Sequence, residues 1–193
     1  MQKKSQGKLF VISGPSGVGK GTLCKMLVDG DKDGNIALSI SMTTRKPRIG
    51  EVDGKHYFFV SKAEFKEIAR NNGLLEYAIV YGNYYGTPRA KVMGQLSQGT
   101  DVVLEIDVQG ALAVKKTCPQ AILIFIMPPS IEELKRRITD RGTDSKQVIV
   151  KRISVAADEI AMLERYDYMV VNDDLNEAFG KIKSVITAEH CRV

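Results

Sequence analysis

The stretch from Leu9 to Thr22 leaves this chain few ways to fold. Leu9-Phe10-Val11-Ile12 is an apolar run of the kind buried on both faces of a parallel sheet. It passes into Gly14-Pro15-Ser16-Gly17-Val18-Gly19-Lys20-Gly21-Thr22, and a helix-like segment begins at Leu23. A strand, a glycine-rich loop and a helix in that order make a phosphate cradle. Gly14, Gly17 and Gly19 let the backbone take positive φ and turn its amides inward. The following helix adds its N-terminal partial positive charge, and Lys20 reaches the outer phosphates. This pattern implies a nucleoside triphosphate site formed by Gly14, Pro15, Ser16, Gly17, Val18, Gly19, Lys20, Gly21 and Thr22. One position departs from the full pattern. Gly21 follows the lysine where a Ser or Thr hydroxyl usually ligates magnesium, with Thr22 one step later. The cradle survives, because it rests on backbone amides and the lysine. Mg2+ is then expected to be held through phosphates and water, which suits a small ion reluctant to dehydrate.

With 193 residues, 44% of them hydrophobic, the chain can bury a core and is expected to form one unit with insertions. Six prolines and 26% charged residues argue against disorder. Cys24, Cys118 and Cys191 lack any metal-ligand spacing and fit reduced thiols, and His56 and His190 are too few for a histidine metal site. Met1-Gln2-Lys3-Lys4-Ser5 carries no separate apolar region before a cleavage site, and no run is long enough to span a bilayer. The expectation is a cytoplasmic protein without a membrane partner. The net charge of +5 would suit nucleic acid. The basic residues, however, form short clusters (Arg45-Lys46-Pro47-Arg48, Lys135-Arg136-Arg137 with Arg141, Lys151-Arg152) rather than a tail or a helical stripe. Such clusters beside a phosphate loop fit nucleotide phosphates better than a polymer backbone, so no nucleic acid partner is expected.

Further apolar runs at Val102–Ile106, Ala121–Met127 and Met169–Val171 read as strands of the same parallel sheet. Helical patterns separate them, over Val108–Lys116, about Lys146–Arg165 and about Leu175–Glu189, the last after the acidic start Asp173-Asp174. Alternating strands and helices predict an α/β domain with ligand sites at the carboxyl ends of the strands. The region from about Ser39 to Met93 breaks the alternation. His56–Val60 and Leu74–Val80 read as strands around a short helix that starts at Ser61, with Glu64 completing a capping box, and ends at Gly73. This predicts an inserted α+β lobe. A second insertion near Ile131–Val150 opens with a capping box at Ser130 and Glu133 and passes through Arg141-Gly142-Thr143-Asp144-Ser145. A basic helix–loop element beside a phosphate-binding core suggests a mobile lid.

Three local patterns carry chemistry. In Thr43-Thr44-Arg45-Lys46-Pro47-Arg48-Ile49-Gly50-Glu51, the two arginines flanking Lys46-Pro47 could clamp one phosphate with paired N–H forks, although a basic loop alone is more often a solvated surface. Gly82-Asn83-Tyr84-Tyr85-Gly86-Thr87 sets tyrosine hydroxyls between glycines, as packing or as donors to a ligand. Glu105 and Asp107 end an apolar strand and, at period two, face the same side. Carboxylates there are placed to hold hydrated magnesium or to contact a ligand.

Together these motifs resemble guanylate kinases, enzymes that phosphorylate GMP with ATP. The resemblance rests on Gly14–Lys20, Ser41-Met42-Thr43-Thr44-Arg45-Lys46-Pro47-Arg48, Gly82-Asn83-Tyr84-Tyr85-Gly86, Leu104-Glu105-Ile106-Asp107-Val108-Gln109-Gly110 and Val171-Asn172-Asp173-Asp174. The first motif is generic to phosphate-loop proteins; the next three, in this order, are specific. The resemblance implies a P-loop nucleoside monophosphate kinase fold, with helices on both faces of a parallel core sheet, formed by residues 1–193 as a single domain. Within it the expected core is 1–38, 94–130 and 154–193, the GMP-binding lobe 39–93 and the helical lid 131–153. It further implies that Arg45, Arg48, Tyr57 and Tyr85 hold the GMP phosphate, and that Ser41, Glu76, Thr87 and Asp107 read guanine. A carboxylate at Glu76 suits guanine, whose N1–H and exocyclic amine are adjacent donors. Lys20, Arg137, Arg141 and Arg152 would neutralise the transferring phosphoryl group, and Asn172 would lie near the adenine of ATP. The implied substrates are GMP and ATP, with Mg2+ as cofactor and Glu105 near it; monomer and homodimer are both left open. An adenylate-type kinase is disfavoured by Glu76 and the Arg45/Arg48 loop. A non-catalytic protein-binding relative need not keep Lys20 and the lid arginines.

Overall fold

In the computed structural model, which describes residues 6–80, 82–140 and 146–193, strand β1 (Leu9–Ser13) is buried along its whole length. Its alternate residues enter two different cores, as the two-residue period of a strand requires. Phe10 and Ile12 pack with Leu23, Leu27, Val103, Ile124 and Ile182 on one face, whereas Leu9 and Val11 pack with Val92, Leu96, Leu104, Val114 and Leu123 on the other. A strand apolar on both sides therefore belongs between two helical layers, as its composition predicts.

Strands β2 (Ile36–Leu38), β7 (Asp101–Glu105), β8 (Ile122–Met127) and β9 (Tyr168–Val171) complete a five-stranded sheet of order β2-β7-β1-β8-β9. Every pair is parallel, with Phe10 beside Val103 on one side and Ile122 on the other. The chain crosses from one side of β1 to the other after β7, so the open end of β1 is the switch point where α/β sheets place ligands. Helix α1 (Lys20–Asp29) leaves that point directly.

The inserted lobe has its own sheet. Strands β3 (Met42–Thr43), β4 (Phe58–Phe59), β5 (Leu74–Val80) and β6 (Asn83–Pro88) stand in the order β4-β3-β6-β5, antiparallel except for β3 with β4. Helix α2 (Lys62–Arg70) starts as expected, Ser61 accepting a hydrogen bond from the Glu64 amide at 3.1 Å. It drops Phe65 into a small core with Met42 and Leu74.

Four boundaries differ from the sequence-based expectation. Strand β4 is only Phe58–Phe59, because the preceding residues turn, with His56 N donating to Val52 O and Gly54 N to Tyr57 O. Helix α2 ends at Arg70 rather than Gly73. Asn72 takes the left-handed conformation at φ 54°, and Gly73 N donates to Ile68 O, a Schellman closure built on asparagine. The residues after Gly82, given no element from sequence, form strand β6, and Pro88 leads into an unanticipated helix α3 (Arg89–Ser97). The long helix expected over Lys146–Arg165 ends at Ile160, with a separate 3₁₀ turn at Leu163–Arg165.

Helices α4 (Val108–Thr117), α5 (Ile131–Asp140), α6 (Lys146–Ile160) and α7 (Leu175–His190) complete the fold. Leu134 and Ile138 of α5 and Ala156 of α6 are buried in the same core as β1. The helical insertion is thus rooted in the body of the protein.

The lobe core holds few large side chains, so Phe65 dominates it. Phe65→Ala should lower stability by about 3–5 kcal/mol, as for aromatic truncations in well-packed cores. Urea unfolding checks this, and a loss below about 1 kcal/mol would mean that the lobe does not depend on this packing.

Candidate active site

The loop after β1 is built around carbonyls as well as amides. Gly14 has φ 141°, and a Cβ there would sit on the Ile126 carbonyl oxygen of the neighbouring strand. Lys20 opens α1 and folds back over the loop, its Nζ donating to Gly14 O at 2.6 Å and Pro15 O at 2.9 Å. Asn172, just past β9, is buried; its Nδ2 donates to Val18 O at 2.8 Å and its backbone N to Met127 O at 2.8 Å. The loop is therefore fixed from a strand two places away.

Cationic side chains from the helical insertion reach the same place. Arg137 donates from Nη1 to Asn172 O at 2.9 Å and from Nε to Glu133 Oε1 at 2.8 Å. Arg152, on α6, donates to Ser16 Oγ at 3.2 Å. Arg141 lies outside the described residues.

Across the switch point a cavity of ≈ 140 Å³ opens between the two sheets, lined by Ser41, Tyr57, Glu76, Tyr85, Glu105 and Asp107 among others. Glu76 is 9% exposed, and its Oε1 accepts from Thr87 Oγ1 at 2.7 Å. Asp107 does not extend β7, as the alternating pattern predicted. The strand stops at Glu105, and Asp107 caps α4, accepting from Gly110 N at 2.7 Å. Gly110 lies between the two acids: a Cβ there would meet Asp107 Oδ1 at 3.1 Å and Glu76 Oε2 at 3.2 Å.

Arg45 stands behind two of the lining residues, Tyr57 and Tyr85. Its Nε donates to the Tyr85 hydroxyl at 3.2 Å, its Nη2 to Glu51 Oε1 at 2.7 Å, and its guanidinium lies 5.5 Å from the centre of the Tyr57 ring. Tyr57 and Tyr85 meet edge to face at 5.9 Å. Arg48 joins through its backbone amide, donating to Glu51 Oε2 at 2.7 Å, with its side chain exposed.

The two halves meet at Glu105, which lines the cavity and lies against the phosphate loop. A Cβ on Gly21 would be 3.2 Å from Glu105 Oε1. Burial pulls the Lys20 ammonium below the ordinary lysine range, opposed by Glu105, Glu159 and Asp107. Burial likewise pushes the Glu105 and Glu159 carboxyls up, with Lys20 opposing. Glu76 is pushed up to about 6, chiefly by burial and further by Asp107, against the hydrogen bond from Thr87.

A family model described as guanylate kinase matches residues 6–189. The chain belongs to the guanylate kinase family. It is 54% identical to the guanylate kinase of Caldanaerobacter subterraneus subsp. tengcongensis, the alignment covering 100% of this chain and 93% of that one. The guanylate kinase of Clostridium tetani is 53% identical over 97% of this chain and 89% of its own length. The crystal structure of guanylate kinase from Anaplasma phagocytophilum superposes with a TM-score of 0.78 at 38% identity, over 98% of this chain and 89% of that chain. The fold described above is thus that of the family's P-loop kinases.

Of the residues singled out from sequence, Ser41, Tyr57, Glu76, Tyr85 and Asp107 line one cavity, and Arg45 and Thr87 join through Tyr85 and Glu76. Lys20, Arg137, Arg152 and Asn172 cluster on the loop. Two carboxylates were overlooked. Glu51 stands in the quoted arginine stretch, and the Gly50-Glu51 turn behind Arg48 is the signal that it folds back. Glu159 left no local signal, since only the path of α6 brings it toward Lys20. Among the described residues no three His, Cys, Asp or Glu side chains converge on a metal position, and no helix is long and apolar enough to cross a membrane.

The raised pKa of Glu76 has a definite sign. Its folded value of about 6 exceeds the ordinary 4.5, so protonation stabilises the fold; the contribution is whole below pH 4.5 and gone above pH 6. Glu76→Gln, neutral throughout, should exceed the parent in stability by about 2 kcal/mol near pH 8 and match it near pH 4. Chemical denaturation at the two pH values checks this; a difference that does not change with pH would return Glu76 to an ordinary carboxyl.

Proposed function

We infer that this protein transfers the γ-phosphoryl group of ATP to GMP, giving ADP and GDP. Family membership supports the reaction, and one observation supports its placement here. A buried carboxylate suited to guanine, Glu76, shares a cleft with a phosphate loop, and Glu105 touches both sides.

On this reading the loop from Gly14 to Thr22 holds the ATP phosphates through its amides, and Lys20 exchanges the Gly14 and Pro15 carbonyls for phosphate oxygens. Asn172 contributes by bracing Val18, its buried amide being committed there rather than free for adenine. Ser41, Glu76, Thr87 and Asp107 read guanine. Arg45, Tyr57 and Tyr85 hold the GMP phosphate, with Arg48 swinging in from solvent. Arg137, Arg152 and Arg141 surround the transferring group. Phosphoryl transfer needs positioning and positive charge rather than a protein nucleophile, because the acceptor is already a phosphate oxygen. The partition into core, GMP-binding lobe 39–93 and lid 131–153 follows the same logic. Closure excludes water, which would otherwise compete as acceptor.

The donor set fits magnesium held mainly by phosphates and water. With Gly21 lacking a hydroxyl and its Cα facing the Glu105 carboxylate, Glu105 is placed to accept from metal-bound water. When bound, the ion neutralises charge on the phosphate oxygens.

Purified protein should convert GMP and ATP to GDP and ADP in a coupled assay, with AMP a poor acceptor; equal use of AMP would overturn the reading. Lys20→Ala should lower kcat by at least about a hundredfold, as loss of a transition-state charge contact does, with GMP affinity nearly unchanged. Glu76→Gln sets an amide against guanine's exocyclic amine, so it should erode the preference for GMP over AMP. Unchanged discrimination would mean that guanine is read elsewhere.

A further inference from the structure

The arginine loop contains an anion of its own. Glu51 spans it, one carboxylate oxygen on the Arg45 guanidinium at 2.7 Å and the other on the Arg48 amide at 2.7 Å. The connection runs both ways, since Glu51 N donates to Arg48 O at 3.0 Å and Gly50 turns the chain between them at φ 85°. Arg45 is held on every side: Glu51 on Nη2, Lys46 O on Nη1 at 2.8 Å, the Tyr85 hydroxyl on Nε, and the rings of Tyr57 and Phe59 beside it. Yet Nη1 and Nη2 carry two hydrogens each, so a hydrogen on each remains for a ligand after these bonds. The Arg45 side chain is 15% exposed and that of Glu51 18%, whereas Ile49 at the loop's tip is fully exposed.

Left to itself, an exposed loop with two arginines and a proline would sample many conformations. Ordering it on binding would cost about 0.5–1.5 kcal/mol per immobilised long side chain. A carboxylate that ties guanidinium to backbone removes part of that cost beforehand. It also offsets one unit of positive charge, so its net effect on anion binding depends on whether order or charge dominates. The geometry decides for order. Glu51 occupies the edge of Arg45 turned toward its own loop, while Nε is turned to Tyr85, which lines the cavity.

We propose that Glu51 is a positioning residue for the acceptor phosphate: it presets the Arg45 guanidinium and the Arg48 backbone in the arrangement that GMP binds, and remains in place when GMP is bound. The proposal rests on the GMP reading above. Hydrogen bonds from the Arg45 guanidinium and the neutral Arg48 amide hold the Glu51 carboxyl down at about 2, so the tie is intact at any working pH. A glutamine side chain could not replace the carboxylate, because an amide has one acceptor oxygen for two donors.

Steady-state kinetics test this. Glu51→Gln should raise KM for GMP by about tenfold or more, the scale of a lost charge-assisted hydrogen bond, with a smaller change in kcat and an unaltered KM for ATP. Glu51→Asp, which keeps both acceptors on a shorter arm, should recover part of the loss; thermal melting verifies that both variants fold. A lowered KM for GMP would make Glu51 a counter-ion that the phosphate displaces and would overturn the proposal. Unchanged constants, or equal losses in the GMP and ATP constants, would overturn it as well. If the parent protein turned over no GMP, the functional reading would fail on its own. Calorimetric GMP affinities of the parent and Glu51→Gln would still decide the role of Glu51, equal values going against it.

Discussion

A backbone turn that must present amides to an anion while satisfying its own carbonyls underlies the rest of this structure. Lys20 satisfies two of those carbonyls and Asn172 a third. The neighbouring Ile126 carbonyl leaves no room for a side chain on Gly14, and Ile138 covers Gly17. The loop is therefore held by β8, by the end of β9 and by α5, all more than a hundred residues further along the chain. On the proposed reading, a phosphate entering it would replace the intramolecular partners of Lys20, which would keep the ordering cost of binding small.

The charges around that loop are divided. Glu105, Glu159 and Asp107 face Lys20 and favour its charged form against burial, whereas the arginines approach from α5 and α6. Carboxylates this close to a triphosphate would repel it unless cations stood between. Lys20 stands there, and a hydrated magnesium beside Glu105 would add to it. On the proposed reading, the acidic side of the cleft would face guanine donors and metal water, and the basic side phosphate oxygens.

Much of this was legible in the chain because four of the five core strands, all but the short β2, stand out as apolar runs, and because Ser61 with Glu64 and Ser130 with Glu133 mark helix starts. Ends were harder. Helix α2 stops where Asn72 accepts a left-handed backbone, a place usually given to glycine, so Gly73 was the more visible but wrong stop. Asp107 was placed on the right side for the wrong reason. Alternation along a strand put it beside Glu105, whereas the strand has already ended and capping of α4 aims the carboxylate. The guanine and phosphate residues came from motif resemblance, since nothing in local periodicity links Ser41, Glu76 and Asp107. Glu51 and Glu159 went unassigned because their partners are set by a folded-back turn and by the crossing of α6.

If Glu76 reads guanine, as proposed, selectivity follows from how poorly its own surroundings compensate the buried carboxylate. Glu76 is buried with Asp107 beside it, and the hydrogen bonds from Thr87, through hydroxyl and backbone, do not offset its burial, so its ionised form is poorly compensated. A base with two adjacent donors, such as guanine, supplies what the carboxylate lacks and favours its ionised form. A base presenting a lone pair at the same edge adds repulsion to an anion that is already under-solvated. The discrimination is therefore larger than the count of hydrogen bonds suggests, because the wrong base leaves a buried charge unpaired instead of merely forgoing a contact. A solvated carboxylate at the same position, with water free to replace either donor, would retain the attraction for guanine but lose most of the penalty against adenine.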